Sequence, residues 1–421
     1  MRSIYFIILI YLSFIEISFA LETRFSAETR LKLENFHNDT ASTSATAYNF
    51  RSRLNLDLTS RFYKIYFQLQ DSRLLGNQEN SPGIAGRINS PPSLHQVYGE
   101  LDSPLGGKNK IRFGRFEMPL GSQRLFSNNN WNDRGRSFEG FTNERKTKRG
   151  KLLFFHLINA DLYPMNDQFD YIVDGLYGTT KMSLIKSTEQ SIDSEDSYTQ
   201  NNPLSFEYYI FNENIVVNPG TNTKQRQTLG FRLFKNFKKI NIETEYAYQT
   251  GRFYSDDIEA SLYSINLEVP IGFTPYIESL SFSKEYLSGD EYLLGGSDGK
   301  LGGFAKPFGA AHKFHGYYDN PLHKNFLDNS HAGLNEWFIE SKHKLLFNIN
   351  LSIKYHDFKD AINFDVYGRE LDFILSKDLP FGGKIIQGFS IYYPENRSRL
   401  ESCLLYTSPS PRDVEESRVA G

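Results

Sequence analysis

The feature that most constrains this chain is a period of two, repeated many times along its 421 residues. Near the start Phe25, Ala27, Thr29, Leu31 and Leu33 are apolar or small, and Glu28, Arg30, Lys32 and Glu34 interleave with them. Tyr48, Phe50, Leu54, Leu56 and Leu58 then alternate with Asn49, Arg51, Arg53, Asn55 and Asp57. Tyr63, Ile65, Phe67 and Leu69 alternate with Lys64, Tyr66, Gln68 and Gln70, and Ile240, Ile242, Tyr246 and Tyr248 with Asn241, Glu243, Glu245 and Gln249. The cleanest run sets Phe347, Ile349, Leu351, Ile353 and Tyr355 against Asn348, Asn350, Ser352, Lys354 and His356. Successive strand side chains point to opposite sides, so each run predicts a strand with one greasy and one wet face. The runs are about 9 to 12 residues long, beyond the usual globular strand and matched to a tilted membrane crossing.

Composition fits a barrel better than its rivals. A mean hydropathy of −0.48 excludes a bundle of apolar membrane helices, whereas a barrel whose lumen is wet is polar on average. Lys plus Arg number 47 against 50 Asp plus Glu, which lacks the basic excess of a nucleic-acid binder. One cysteine leaves no disulfide framework and no thiolate cluster, and no cofactor is expected. Connections also alternate: residues 59–61, 236–238 and 377–383 are short, while 77–94, 120–136, 214–227 and 287–333 are long and rich in Gly, Asn and Ser. Short turns at one end and long loops at the other form the outer-membrane pattern, with Tyr and Phe at strand ends as interfacial girdles. The acidic segment from Lys186 to Pro203 breaks it and reads as a flexible insertion.

The predicted class is therefore an all-β, antiparallel up-and-down transmembrane barrel. The runs number roughly seventeen, and because bacterial single-chain barrels take an even count, eighteen are expected in the complete protein. The strands around residues 96–101, 258–268 and 276–286 carry the weakest patterns.

Both ends lie outside this pattern. Residues 1–20 combine Arg2, an apolar stretch from Ile4 to Phe14 and Ser18-Phe19-Ala20, which predicts a secretory signal peptide cut after Ala20, the alternative being an uncleaved anchor. Residues 403–421, from Cys403 onward, resemble the translation of a transposon-type sequencing adapter, the alternative being a disordered tail. On the first reading the barrel spans 21–402, and the eighteenth strand is displaced by foreign sequence.

Chemistry concentrates between Lys110 and Gly140. Five arginines, Arg112, Arg115, Arg124, Arg134 and Arg136, gather on two predicted strands and the loop between them. Guanidinium forks stay charged and match carboxylates bidentately. Gly114-Arg115, Gly121-Ser122-Gln123-Arg124-Leu125 and Arg136-Ser137-Phe138-Glu139-Gly140 resemble motifs of the alginate export family of outer-membrane porins. Ser288-Gly289-Asp290 with Asp298-Gly299, His312 to Asp319, Tyr355-His356-Asp357-Phe358 and Tyr367-Gly368 with Glu370 and Asp372 resemble it too, so the likeness runs in order along nearly the whole mature chain. The resemblance implies an eighteen-stranded porin whose electropositive constriction passes a negatively charged uronate polymer by diffusion.

Arg30, Arg51, Arg53, Arg232 and Lys354 join the five as candidate lumen cations, because rings of Arg or Lys select anions. Glu28, Glu34, Asp57, Glu100, Glu243, Glu245, Glu370 and Asp372 share the predicted wet faces and serve as their acidic partners. Arg124, Arg134 and Arg136 have few acids near them in sequence and are expected to face solute. A third reading sets some outer arginines at lipopolysaccharide phosphates. The remaining expected partners are an anionic oligo- or polysaccharide, membrane lipid and the barrel-assembly machinery, with the protein a monomer. Rival functions are a weakly selective general porin and a barrel hydrolase. For the hydrolase, no nucleophile elbow is present. His312, His315, Asp319 and His323 fit no zinc spacing, and Asp290 and Asp298 form only a weak Ca²⁺ candidate.

Overall fold

A computed structural model describes residues 21–38, 43–75, 90–102, 109–158, 171–182, 204–218, 222–237, 239–271, 274, 276–291, 298–318, 326, 329–380, 382–395 and 401–408. The predicted signal peptide and the 186–203 insertion lie outside these residues.

The strands are β1 (Glu22–Asn38), β2 (Thr43–Thr59), β3 (Tyr63–Leu75), β4 (Ser90–Asp102), β5 (Asn109–Phe116), β6 (Phe138–Lys146), β7 (Gly150–Ile158), β8 (Tyr171–Met182), β9 (Leu204–Asn218) and β10 (Asn222–Asn236). They continue as β11 (Asn241–Phe253), β12 (Asp256–Pro270), β13 (Ile277–Leu287), β14 (Lys300–Leu301), β15 (Leu334–Leu345), β16 (Ile349–Lys359), β17 (Val366–Asp378), β18 (Lys384–Pro394) and β19 (Glu401–Ser408). All nineteen belong to one sheet. β14 is a two-residue piece of a long loop lying parallel to β12, so eighteen wall strands remain among the described residues, each antiparallel to its neighbours. β1 pairs with both β2 and β19, which closes the ring. No described helix is long and apolar enough to cross a membrane; the crossing elements are strands, whose ladders leave no edge in lipid.

Burial runs opposite to that of a soluble protein. Phe25, Leu54 and Phe113 are 76%, 58% and 50% exposed, while Gln68, Glu370 and Arg51 on inward positions are 0%, 0% and 2% exposed. The greasy faces of the alternation point out to lipid and the wet faces point in. An aromatic residue stands exposed at each of four turns, Phe62, Phe237, Tyr276 and Phe347, forming a girdle at the turn end.

Three expectations change. β9 and β10 stay paired from Asn218↔Asn222 downward, leaving only residues 219–221 where a long loop over 214–227 is expected. The ladder continues past the apolar run because backbone pairing does not require greasy side chains. Phe347 and Asn348 leave the strand pattern for a hairpin turn with φ of 61° and 56°, the left-handed pair that matches strand twist. The eighteenth wall position is filled by β19, which pairs its Glu401–Ser408 backbone with Asn38–Leu31 of β1 and with residues of β18. Two open edges template any extended segment, whatever its side-chain pattern.

The lumen also holds an apolar core that alternation does not forecast. Phe116, Phe126, Phe138, Phe155, Phe211 and Phe308 belong to one buried cluster, these six coming from β5, β6, β7 and β9 and from two loops.

Candidate functional site

Residues 117–137, between β5 and β6, cross the lumen. At one end Arg124 reaches Glu245 on β11 and Glu285 on β13; at the other, residues 130–134 touch inward side chains of β1, β2 and β3. A loop that touches such separated walls must traverse the space between them. The strand ends permit the inward turn: Gly114 and Gly140 face each other across β5 and β6 at φ of 121° and 148°, a backbone that side-chain-bearing residues rarely adopt. These are the glycines of the family-like motifs.

The β1–β3 wall grips the loop with charge. Arg30 donates to the Asn130 carbonyl and to Asp133 Oδ1, both at 2.5 Å. Arg51 donates to Glu28 at 2.8 Å and to the Asn130 carbonyl at 3.2 Å. Arg53 holds Gln70 at 2.6 Å and Asn130 Oδ1 at 3.1 Å, and lies 3.3 Å from Glu117. Lys32 pairs with Glu34 at 3.2 Å and sits 4.8 Å over the Trp131 ring. Register places Arg30 directly opposite Arg51, a like-charge pair that is destabilising on its own; the loop supplies Asp133 and carbonyl oxygens between them. Burial disfavours the Asp133 carboxylate, yet Lys32 and Arg30 outweigh that and hold its pKa below the usual carboxylate range.

The opposite wall grips it through a chain of buried ions. Arg124 pairs with Glu245 and Glu285 and lies 4.0 Å over the Phe314 ring. Lys306, on the loop of residues 288–333, reaches Glu285 Oε1 and His315 Nε2, each at 2.7 Å. His315 Nδ1 meets Glu336 at 2.5 Å, and His356 Nδ1 meets the other oxygen of Glu336 at 2.7 Å. His356 Nε2 lies 3.6 Å from Asp372, while Glu370 accepts the Tyr318 backbone N–H at 2.7 Å. Arg136 joins the two loops by donating to the Phe308 carbonyl; burial lowers its pKa to about 10, which leaves it charged at neutral pH. His312 stacks on Trp131 at 3.6 Å, a second junction between the loops.

The candidate cations therefore separate by role. Arg112 faces Glu100 on the inner wall at 2.7 Å, and Arg232 bridges Glu207 and Glu243 at 3.0 and 2.9 Å. Lys354 lies 3.8 Å from Glu340, and Asp57 lies 2.5 Å from Lys64. Arg124 departs from expectation: acids absent from its sequence neighbourhood arrive from β11 and β13. Arg136 departs too, held by carbonyl oxygen rather than facing solute. Arg115 is a correction, since it shares parity with exposed Ile111 and Phe113, is 42% exposed itself, and pairs with Glu139 on the outer surface at 3.1 Å. Arg134 alone among the candidates is exposed with no carboxylate or carbonyl partner for its guanidinium among the described residues.

Several members of this network escape a sequence reading. Arg226 is fully buried against Glu213 at 2.6 Å and Asn329 at 2.9 Å; its alternation is readable, but its pairing needs the fold. Asp133, Glu117, Lys306 and Glu336 carry no motif. Asp290 is buried, and Asp298 accepts the Lys300 backbone N–H at 2.9 Å; among the described residues no three His, Cys, Asp or Glu side chains group as a metal site requires. Asp319 and His323 lie outside the described residues.

A family model described as alginate export matches residues 16–359. No curated protein matches the chain. Among solved structures, OccK2 (OpdF) of Pseudomonas aeruginosa, in complex with glucuronate, aligns with a TM-score of 0.57 at 13% identity, over 92% of this chain and 98% of that one. A BenF-like porin from Pseudomonas fluorescens Pf-5 gives 0.57 at 12% identity, and OccAB4 of Acinetobacter baumannii 0.57 at 11%, each over 92% of this chain and 98% of the other. At these identities the likeness is one of fold.

Proposed function

This chain belongs to the alginate export family and is an outer-membrane porin; on that premise we propose that it passes an anionic, alginate-like uronate oligomer or polymer by passive diffusion. Membership makes it a channel and removes the hydrolase reading. One observation carries the choice of solute: the loop that crosses the lumen presents Arg134 exposed, with no carboxylate on its guanidinium among the described residues. Every other inward candidate is occupied, so the wall holds the loop and the loop offers the charge. A planar fork suits the repeating carboxylates of a uronate chain. OccK2, similar in fold, is described with a carboxylated sugar bound, which supports the solute class. The long-loop end faces the cell exterior, and the ring of strands works as a monomer placed by the barrel-assembly machinery.

Reversal potentials across a salt gradient in planar bilayers test this reading. The wild type prefers anions, and Arg134→Glu moves the preference toward cations. A cation-preferring wild type, or a preference unmoved by substitution at Arg124, Arg134 and Arg136, defeats the anion pore. The second reading, a weakly selective general porin, draws on the close pairing of most lumen cations with acids; it predicts near-zero reversal potentials in all variants.

A further inference from the structure

One line of residues on the lipid-facing surface is not explained by contact with hydrocarbon. Strand register sets Lys284 opposite Trp337, Trp337 opposite Asp357, Asp357 opposite Arg369 and Arg369 opposite Tyr393, a row across β13, β15, β16, β17 and β18. Two residues nearer the turn end, the same register aligns Phe282, Ile339, Tyr355, Leu371 and Ile391. That second row is wholly apolar or aromatic, with Phe282, Ile339 and Tyr355 exposed. The change from apolar row to charged row, with Trp and Tyr in it, marks the level where hydrocarbon gives way to headgroups.

The charges in this row do not balance. Arg369 donates to Asp357 at 3.1 Å and Lys359 Nζ lies 3.7 Å from the same carboxylate. Lys284 lies within the field of both Asp357 and Lys359, and its ammonium donates to Asn335. Asp357 is 7% exposed, whereas Lys359 and Arg369 remain 36% and 49% exposed, so one sunken carboxylate pairs with two cations, and Lys284 stands in the same row as a third. Glu395, just beyond β18, is the other acid that acts on Arg369. Among the described residues, three other ion pairs on the outer face near the loops are one to one: Arg73 with Asp71, Arg115 with Glu139 and Arg252 with Asp257.

We propose that Lys284, Lys359 and Arg369 form a docking site for a phosphate-bearing headgroup of the outer leaflet, of the lipopolysaccharide type. Asp357 positions the Arg369 fork through Nε and leaves its outer edge toward the headgroup. Two ammonium groups complete a trivalent recess of the kind that binds phosphate. The apolar row directly beneath receives the acyl chains, which commits the site to a lipid rather than to free phosphate. This inference depends on the orientation of the barrel and not on the solute it passes.

The purified full chain in detergent, followed by the temperature at which it loses its compact heat-modifiable form, provides the test. Three ligands are compared: phosphorylated lipid A, the same lipid with its phosphates removed, and inorganic phosphate. Lipid A is expected to raise the unfolding temperature of the wild type, and the other two to leave it unchanged. The triple variant K284Q/K359Q/R369Q should need about tenfold more lipid A for half-protection, as loss of charge-assisted contacts implies. The double variant R73Q/R115Q should match the wild type. Equal protection by dephosphorylated lipid, protection by inorganic phosphate, wild-type behaviour of the triple variant, or an equal loss in the double variant each overturns the proposal. If the triple variant does not fold, the three-ligand comparison on the wild type decides the matter.

Discussion

The two halves of the crossing loop are held by opposite physics. Residues 118–126 sink Met118, Leu125 and Phe126 into the aromatic core, where the Phe126 ring lies 4.9 Å from Phe211 and 5.0 Å from Phe308. Residues 130–134 instead lie against Arg30, Arg51 and Arg53, and this charged grip is incomplete. Among the described residues, Arg30 Nε, Arg51 Nε and Glu28 Oε2 are buried without a protein hydrogen-bond partner, and such groups cost more to bury than paired ones. Apolar packing involves no titratable group and no charge for salt to screen, so the aromatic half is expected to be the firmer anchor. The charged half sets where its exposed edge, and Arg134 with it, stands in the pore.

Removing the apolar anchor should have the largest effect. Phe126→Ala leaves a hole between Phe138, Phe155, Phe211 and Phe308, and aromatic truncations of this kind cost about 3–5 kcal/mol. The wall ladders remain, so the barrel still inserts, but the loop loses its fixed end. Larger and noisier single-channel currents are expected, with a lower unfolding temperature. An unchanged, quiet channel would show that the charged grip suffices.

Loosening the charged half should do less. Asp133→Asn removes the anion that offsets the facing Arg30 and Arg51; Asp133 is 22% exposed, so the loss is about 2 kcal/mol, below that of a fully buried pair. Acid should mimic the substitution. Because the folded pKa of Asp133 lies below its ordinary value of 3.8, its contribution is complete above that value and is lost as pH falls through the folded pKa. Open-channel noise in the wild type should stay flat between about pH 5 and 8 and rise only below about pH 4, and D133N should be noisy throughout. A wild-type transition near neutral pH would place the labile grip elsewhere.

Much of the wall was legible because it needs only local information. Phe25, Leu31 and Leu54 outward against Glu28, Arg30 and Arg53 inward follow from a period of two, whatever their distant partners. The lumen was less legible for the reason that makes it functional. Arg124 looked acid-free because its acids lie more than a hundred positions away, on Glu245 and Glu285, and only closure of the ring brings them in. Phe126 carries no periodicity that separates a loop phenylalanine packed in a lumen from one on a girdle. Arg115 misled because clustering along the chain outweighed parity: it shares a short stretch with Arg112, yet stands an odd number of residues away and so on the other face.

That last contrast gives the smallest effect and the sharpest control. Arg112 and Arg115 are three residues apart on β5, one against Glu100 inside and the other against Glu139 outside. The outer pair is 42% and 61% exposed, and exposed pairs contribute between about 0 and 1 kcal/mol. Arg115→Gln should leave unfolding, conductance and reversal potential at wild-type values, whereas Arg112→Gln, which removes a lumen cation and leaves Glu100 to Lys110 alone, should shift the reversal potential toward cations. Equal shifts from both would put Arg115 in the pore and break the parity on which the inward and outward assignments rest.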